Sequence, residues 1–173
     1  TAKQLAVADH IVLTKGDLVD ADGRNRAHEA IRSVNGAARI VEPHEGTASI
    51  LFADDSAVDR DALNARYAMP TTGLVHDHTE GVRTLTLRYS SPIDWTAFGV
   101  WMTLLLARHG DNVLRIKGLV QVTGLPGPVL INGVQHIVHP PRHLPMWPSD
   151  DRESHVVIIA AGLDPQALRR SLD

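Results

Sequence analysis

The spacing of apolar positions changes along the chain, and each spacing predicts a different element. Ile11, Val12 and Leu13 form a short β-branched run that ends in Thr14-Lys15-Gly16-Asp17. A buried strand running into a polar loop is the layout found at the carboxyl edge of a parallel α/β sheet. Residues 23–34 carry Ala27, Ala30, Ile31 and Val34 on one helical stripe, and Asn35-Gly36 stops it. Residues 38–41 read as a second short strand, which completes a β-α-β unit. Residues 43–72 are poorly periodic, with short helical candidates at 48–52 and 62–67 around an acidic stretch (Asp54, Asp55, Asp59, Asp61). Met69-Pro70-Thr71-Thr72-Gly73 breaks the pattern and marks a boundary, dividing the chain into residues 1–73 and 74–173.

The second part has another style. Residues 82–90 alternate, with Leu85, Leu87 and Tyr89 on one face, as a half-buried strand does. Ser91-Pro92-Ile93-Asp94 reads as a capping box with proline at the first helical position. The helix then runs to about His109, with Trp95, Phe98, Trp101, Met102 and Leu105 packing inward. Residues 113–122 and 129–138 are strands joined by Gly124-Leu125-Pro126-Gly127-Pro128, and residues 139–151 read as a loop. Residues 156–160 form a continuous apolar strand, expected at the centre of the sheet. Gly162-Leu163-Asp164-Pro165 caps a last short helix. The fold class is therefore α+β: a partial α/β unit, then a β-α-β-β-β-α domain with a four-stranded antiparallel or mixed sheet.

Composition narrows the functional classes. A net charge of −3 lacks the footprint of a general nucleic-acid binder. No apolar run approaches the roughly 18 residues of a membrane span. There is no cysteine, hence no disulfide framework and no thiolate metal site within these residues. No G-x-x-x-x-G-K-S/T occurs, because none of the three lysines follows a glycine, so the chain has no backbone nest for a nucleotide's β- and γ-phosphates. An opening Thr1-Ala2-Lys3 is expected of a fragment or a trimmed product.

The positive signal is Thr14-Lys15-Gly16-Asp17. A carboxylate at Asp17 can accept from guanine N1–H and from its exocyclic amine, a donor pair that adenine lacks, while a lysine stem can lie along the base. As a four-residue match alone it is weak, and more often an ordinary solvated strand-exit loop. The histidines offer a second possibility, because neutral imidazole ligates zinc or cobalt. His76 and His78 would share one face of a strand, and His136, His139 and His143 could converge from a strand end and a loop. None of these spacings is an established site, and a closed zinc site wants four ligands, so no tight metal site is expected, with His76, His78 and His136 as weak candidates.

The whole segment Ala8-Asp9-His10-Ile11-Val12-Leu13-Thr14-Lys15-Gly16-Asp17-Leu18 resembles the guanine-recognition segment of the CobW family of metal-chaperone GTPases. Asn35-Gly36-Ala37-Ala38 resembles the N-P-x-A that follows it there. A spaced set in the second half is similar to that family's C-terminal domain: Val113–Gly118, Val129–His136, Trp147, Val156–Ile159 and Gly162-Leu163-Asp164. Thr14 stands where asparagine is more usual, and Gly36 replaces the usual proline. The resemblance implies a GTP-dependent metal chaperone, related to cobalamin synthesis, that uses GTP and Mg²⁺ and carries zinc, cobalt or iron in the cytoplasm. Its P-loop and C-x-C-C metal motif would lie upstream, so this chain should not be catalytic alone.

In this reading Thr14, Lys15 and Asp17 bind guanine. Arg115 and Lys117, alternating with Leu114 and Ile116, form a polar strand face for the GTPase domain of the same protein or a metalloprotein client. The alternative is a non-enzymatic protein-interaction module with a vestigial nucleotide loop.

Overall fold

The computed structural model describes residues 2–43, 76–77 and 81–171. The N-terminal part is α1 (Ala2–Val7), β1 (His10–Val12), a 3₁₀ turn (Gly16–Leu18), α2 (Ala21–Val34) and β2 (Arg39–Val41). β1 and β2 pair in parallel, His10 opposite Arg39 and Val12 opposite Val41, with α2 as the crossover. This is the β-α-β unit the pattern predicts, preceded by the helix α1, which its short apolar stretch did not reveal. Asp20 caps α2, its carboxylate accepting from the Gly23 amide at 2.7 Å. The helical candidates at 48–52 and 62–67 and the boundary at residues 69–73 lie outside the described residues.

The second part is one antiparallel sheet with two helices on one face. Its strands are β3 (His76–Asp77), β4 (Val82–Tyr89), β5 (Val113–Val120), β6 (Val129–Val134), β7 (Ile137–Val138), β8 (Arg142–His143) and β9 (Ser154–Ala161). The helices are α3 (Trp95–His109) and α4 (Pro165–Arg170). The spatial order is β3-β4-β9-β5-β6-β7, with β8 also on β6. The long apolar strand β9 is central, as its unbroken run of Val156, Val157, Ile158 and Ile159 requires. Four long strands carry the sheet, and three two-residue strands trim its edges.

Three details differ from the sequence reading. Residues 129–138 are two strands, not one: Gln135 takes a left-handed φ of 53°, folding the chain back so that Val134 pairs with Ile137. The stretch read as loop at 139–151 contributes β8. Asp94, not Ser91, caps α3, accepting from the Ala97 amide at 2.8 Å, while Ile93 stays extended and bridges to Val122.

One face of the sheet builds the main core. Leu85, Leu87, Ile116, Val120, Ile131, Val156 and Ile158 pack under Phe98, Met102 and Leu105 of α3 and Leu168 of α4. Of the aromatic residues expected inside, Phe98 is buried, but Trp95 is 39% exposed at the helix start. The other face is covered from the N-terminal part. Ala6, Val7 and Val34 pack on Val82, Leu114, Val157 and Ile159, and the Thr84 hydroxyl donates to the Val34 carbonyl at 3.2 Å. Further along that face Leu119, Leu130, Leu144 and Trp147 form a second small cluster.

Candidate functional site

β1 is the beam on which the site is built. At its carboxyl end the Leu13 amide donates to the Val41 carbonyl at 2.9 Å, holding the chain beside β2 until the loop begins. Lys15 then adopts φ 60° and ψ 30°, the left-handed region that non-glycine residues rarely occupy. The turn closes with the Leu18 amide on the Lys15 carbonyl at 3.1 Å. Arg24, one turn into α2, donates to the Gly16 carbonyl at 3.2 Å and ties the loop to the crossover helix. Thr14, Lys15 and Asp17 are exposed on this turn, at the strand-to-helix crevice where open α/β units bind ligands.

The amino end of β1 is anchored by two groups the sequence did not single out as functional. Asn35 is fully buried, and its amide donates to the Leu5, Ala6 and Ala8 carbonyls at 2.8, 3.1 and 2.9 Å. It thereby satisfies carbonyls that the end of α1 leaves open, and its Oδ1 accepts from the Ala37 amide at 3.2 Å. Asp9, just before β1, accepts a hydrogen bond from Arg115. Arg115 also donates to the Val7 carbonyl at 2.7 Å and to Asn132 Oδ1 at 3.2 Å, and Lys117 Nζ lies 3.9 Å from the same Asp9 oxygen. The two ends of β1 are about 7 Å apart at the usual rise per residue, with Asp9 and Thr14 just beyond them.

Arg115 and Lys117 are not on an open face. Their side chains are 2% and 10% exposed. Simple alternation also misplaces Leu114. The register between β5 and β9 shifts between Val113 and Arg115, and this bulge turns Leu114 to the same side as Arg115, while Ile116 joins the main core. Burial pulls the Arg115 guanidinium below its ordinary value, and the charge and hydrogen bond of Asp9 oppose that. Gly118 next to Lys117 has a packing reason, since a Cβ there would come within 2.9 Å of the His155 carbonyl.

The strand order decides what the histidines can share. His76 sits in β3 at one edge of the sheet, whereas His136 lies in the β6–β7 turn, His143 in β8 and His139 just after β7, all exposed at the other edge. Four strand spacings separate β3 from β6, about 19 Å. His78 lies outside the described residues. A different group does converge: one ligand atom each from Asp151, Glu153 and His155 lie within 4.8 Å of one another. The Arg88 guanidinium already occupies it, 2.7 Å from Glu153 and 3.3 Å from Asp151. His155 Nε2 is buried there without a hydrogen bond. Burial, with Arg88 acting in the same direction, pushes the His155 imidazole below its ordinary range, and Asp151 and Glu153 oppose this. The fixed cation makes this cluster an ion-pair network before a metal site.

A parallel β-α-β unit packed on the second face of a mostly antiparallel sheet, whose first face carries two helices, defines a mixed α+β protein. Comparison with known proteins gives the particular family: the chain belongs to the CobW family, its residues 82–173 matching the family described as cobalamin synthesis protein cobW C-terminal domain. It is 25% identical over 168 residues to the zinc chaperone YjiA of Escherichia coli, covering 96% of this chain and 51% of that protein. It is 32% identical over 137 residues to the zinc chaperone CobW of a Sinorhizobium species, covering 76% of this chain and 38% of that protein. The chain thus spans about half the length, or less, of these curated relatives. In fold it is similar to the crystal structure of zinc-bound YjiA GTPase from E. coli, with a TM-score of 0.73, 24% identity and coverage of 98% of this chain and 52% of that one. A zinc-bound triple mutant of YjiA gives a TM-score of 0.71 at 22% identity, again covering 98% and 52%. Among the described residues no helix is long and apolar enough to cross a membrane.

Proposed function

We propose that this chain supplies the base-recognition end and the C-terminal domain of a cytoplasmic GTP-dependent metal chaperone whose cargo is a divalent metal, zinc in the first instance because both curated relatives are zinc chaperones. The observation that carries this reading is the β1 exit loop. A lysine held in a left-handed conformation is costly unless the surroundings impose it, and such residues concentrate at binding sites. Here it turns the chain so that the exposed Asp17 carboxylate, without a partner among the described residues, follows within the same 3₁₀ turn. Asp17 would accept from guanine N1–H and its exocyclic amine, the Lys15 stem would cover the base, and Thr14 would brace the loop. With no G-x-x-x-x-G-K-S/T motif among its 173 residues, the chain would take the base of GTP and leave the triphosphate and Mg²⁺ to another part of the same protein.

Arg115 and Lys117 have the second role, contact within the protein. They grip Asp9 at the amino end of the strand whose carboxyl end bears the guanine loop, so a displacement of β1 on nucleotide exchange reaches the C-terminal sheet directly. A metalloprotein client would then read the sheet's disposition.

The test is base selectivity of the full GTP-binding protein carrying this segment. Asp17→Ala should lower GTP affinity about 5- to 150-fold, the equivalent of 1–3 kcal/mol for an unpaired base edge, and leave ATP binding unchanged. An unaltered preference for GTP over ATP would place base recognition elsewhere and favour the interaction-module alternative.

A further inference from the structure

The outward face of α3 is inconsistent with a helix that meets only water. Residues 95–107 contain no charged side chain. The inward side, Phe98, Met102 and Leu105, is spent on the core. The opposite side presents Thr96, Ala97, Val100, Thr103, Leu104 and Ala107, all exposed, with Val100 at 55% and Leu104 at 64%. A helix apolar on every side is normally covered on every side. The helix is also too short to cross a bilayer. Among the described residues, those of the N-terminal part pack on the other face of the sheet and not on this surface.

We infer that α3 is a self-association surface, pairing antiparallel with α3 of a second copy about a twofold axis near residue 102. The charges at the helix ends select this occupant. Asp94 caps the amino end, and Arg108 and His109 are the first charged or titratable groups after it, both in the last turn. An antiparallel copy sets Arg108 near Asp94 of the second chain at both ends of the contact, and opposes the two helix dipoles. A parallel copy would set like against like. Sizes agree with the same axis. Val100 meets Leu104 of the second copy at the centre, and Ala97 meets Ala107 further out, so small residues let the backbones approach where the large ones interlock. A twofold contact of this kind is self-complementary and closes at two copies.

Sedimentation equilibrium over a concentration series, with circular dichroism to verify the fold, tests this on the chain as it stands. A reversible dimer is expected. Leu104→Glu, at a solvent-exposed position, should raise its dissociation constant about thirtyfold or more while leaving the spectrum unchanged. Asp94→Asn keeps a competent helix cap but removes the charge, and should weaken the dimer less, with stronger salt dependence in the unmodified chain. The absence of cysteine allows a second readout: Thr103→Cys, beside the axis, should form an intermolecular disulfide on mild oxidation, and Arg26→Cys on α2 should not. A chain that stays monomeric throughout, a dimer indifferent to Leu104→Glu, or equal cross-linking at both cysteines would overturn the inference.

Discussion

Removing Asp9 and removing Arg115 should have unequal costs, and the inequality follows from where water reaches. Arg115 is 2% exposed and Asp9 48% exposed. Asp9→Ala leaves a guanidinium inside the protein with only the Val7 carbonyl at 2.7 Å and Asn132 Oδ1 at 3.2 Å. A hydrogen bond to a charged group contributes about 1.5–3 kcal/mol, and breaking a fully buried pair costs about 3–5 kcal/mol. Half of this pair is hydrated, so the lower range applies: about 2 kcal/mol, or a fall of about 4–8 °C in the thermal midpoint for a chain of this size. Arg115→Met removes the buried charge, fills its channel with a chain of similar length, and leaves a carboxylate that water can solvate, at about 1 kcal/mol. The double variant should cost no more than Arg115→Met, giving a coupling energy of about 2 kcal/mol. Urea unfolding followed by tryptophan fluorescence, with the slope checked for constancy, measures all four corners. Coupling below about 0.5 kcal/mol, or a larger penalty for Arg115→Met than for Asp9→Ala, would refute the view that this contact is an ion pair held from the sheet side.

Three further outcomes are expected. Asn35→Ala should destabilise the chain by about 2–3 kcal/mol in thermal melts, because three carbonyls around the end of α1 lose their donor at once. His155 is held neutral by burial and Arg88, so above its ordinary value of 6.5 it adds no pH dependence, and below it the unfolded chain takes up a proton that the folded one refuses. Stability should therefore fall as pH drops from 6.5 toward the depressed folded value and then level off, and His155→Gln should flatten that part of the urea-midpoint curve. Calorimetry of this chain alone should show no submicromolar GTP binding and no hydrolysis, since the base loop lacks a phosphate nest; tight binding would mean the phosphates are held by residues outside any known nest.

What the sequence disclosed was governed by local repetition. The stripe of α2, the alternation in β4 and the unbroken apolar run of β9 each repeat over enough residues to declare a period, and all three appear where the pattern puts them. The two-residue strands β3, β7 and β8 each rest on a longer neighbour, so their bounds are not set by their own residues, and β8, inside a stretch read as loop, went unseen. The same holds at the site. Thr14-Lys15-Gly16-Asp17 could be singled out as a candidate because its residues are contiguous. The seat of Arg115 was not, because it depends on a bulge in β5 and on Asp9, 106 residues away. Asn35 read as a helix stop and as the start of the N-P-x-A-like segment, but not as an anchor, since the carbonyls it satisfies lie 27 to 30 residues earlier.

The choice of a charged contact at this seam has a mechanical logic. Apolar packing of Ala6, Val7 and Val34 on Leu114, Val157 and Ile159 gives adhesion that tolerates small slips, because hydrophobic burial has no preferred direction. Arg115 adds direction: its hydrogen bonds to Val7, Asp9 and Asn132 are satisfied together in one register of β1 over the sheet. A slip of one residue along β1 would withdraw Asp9 by about 3.3 Å and leave the guanidinium buried without its carboxylate. The seam therefore has one well-defined state and a steep penalty for neighbouring ones, which is the property a strand needs if movement at its loop is to be felt at its other end. Lys117, 3.9 Å from the same oxygen, offers Asp9 a second cation along the strand.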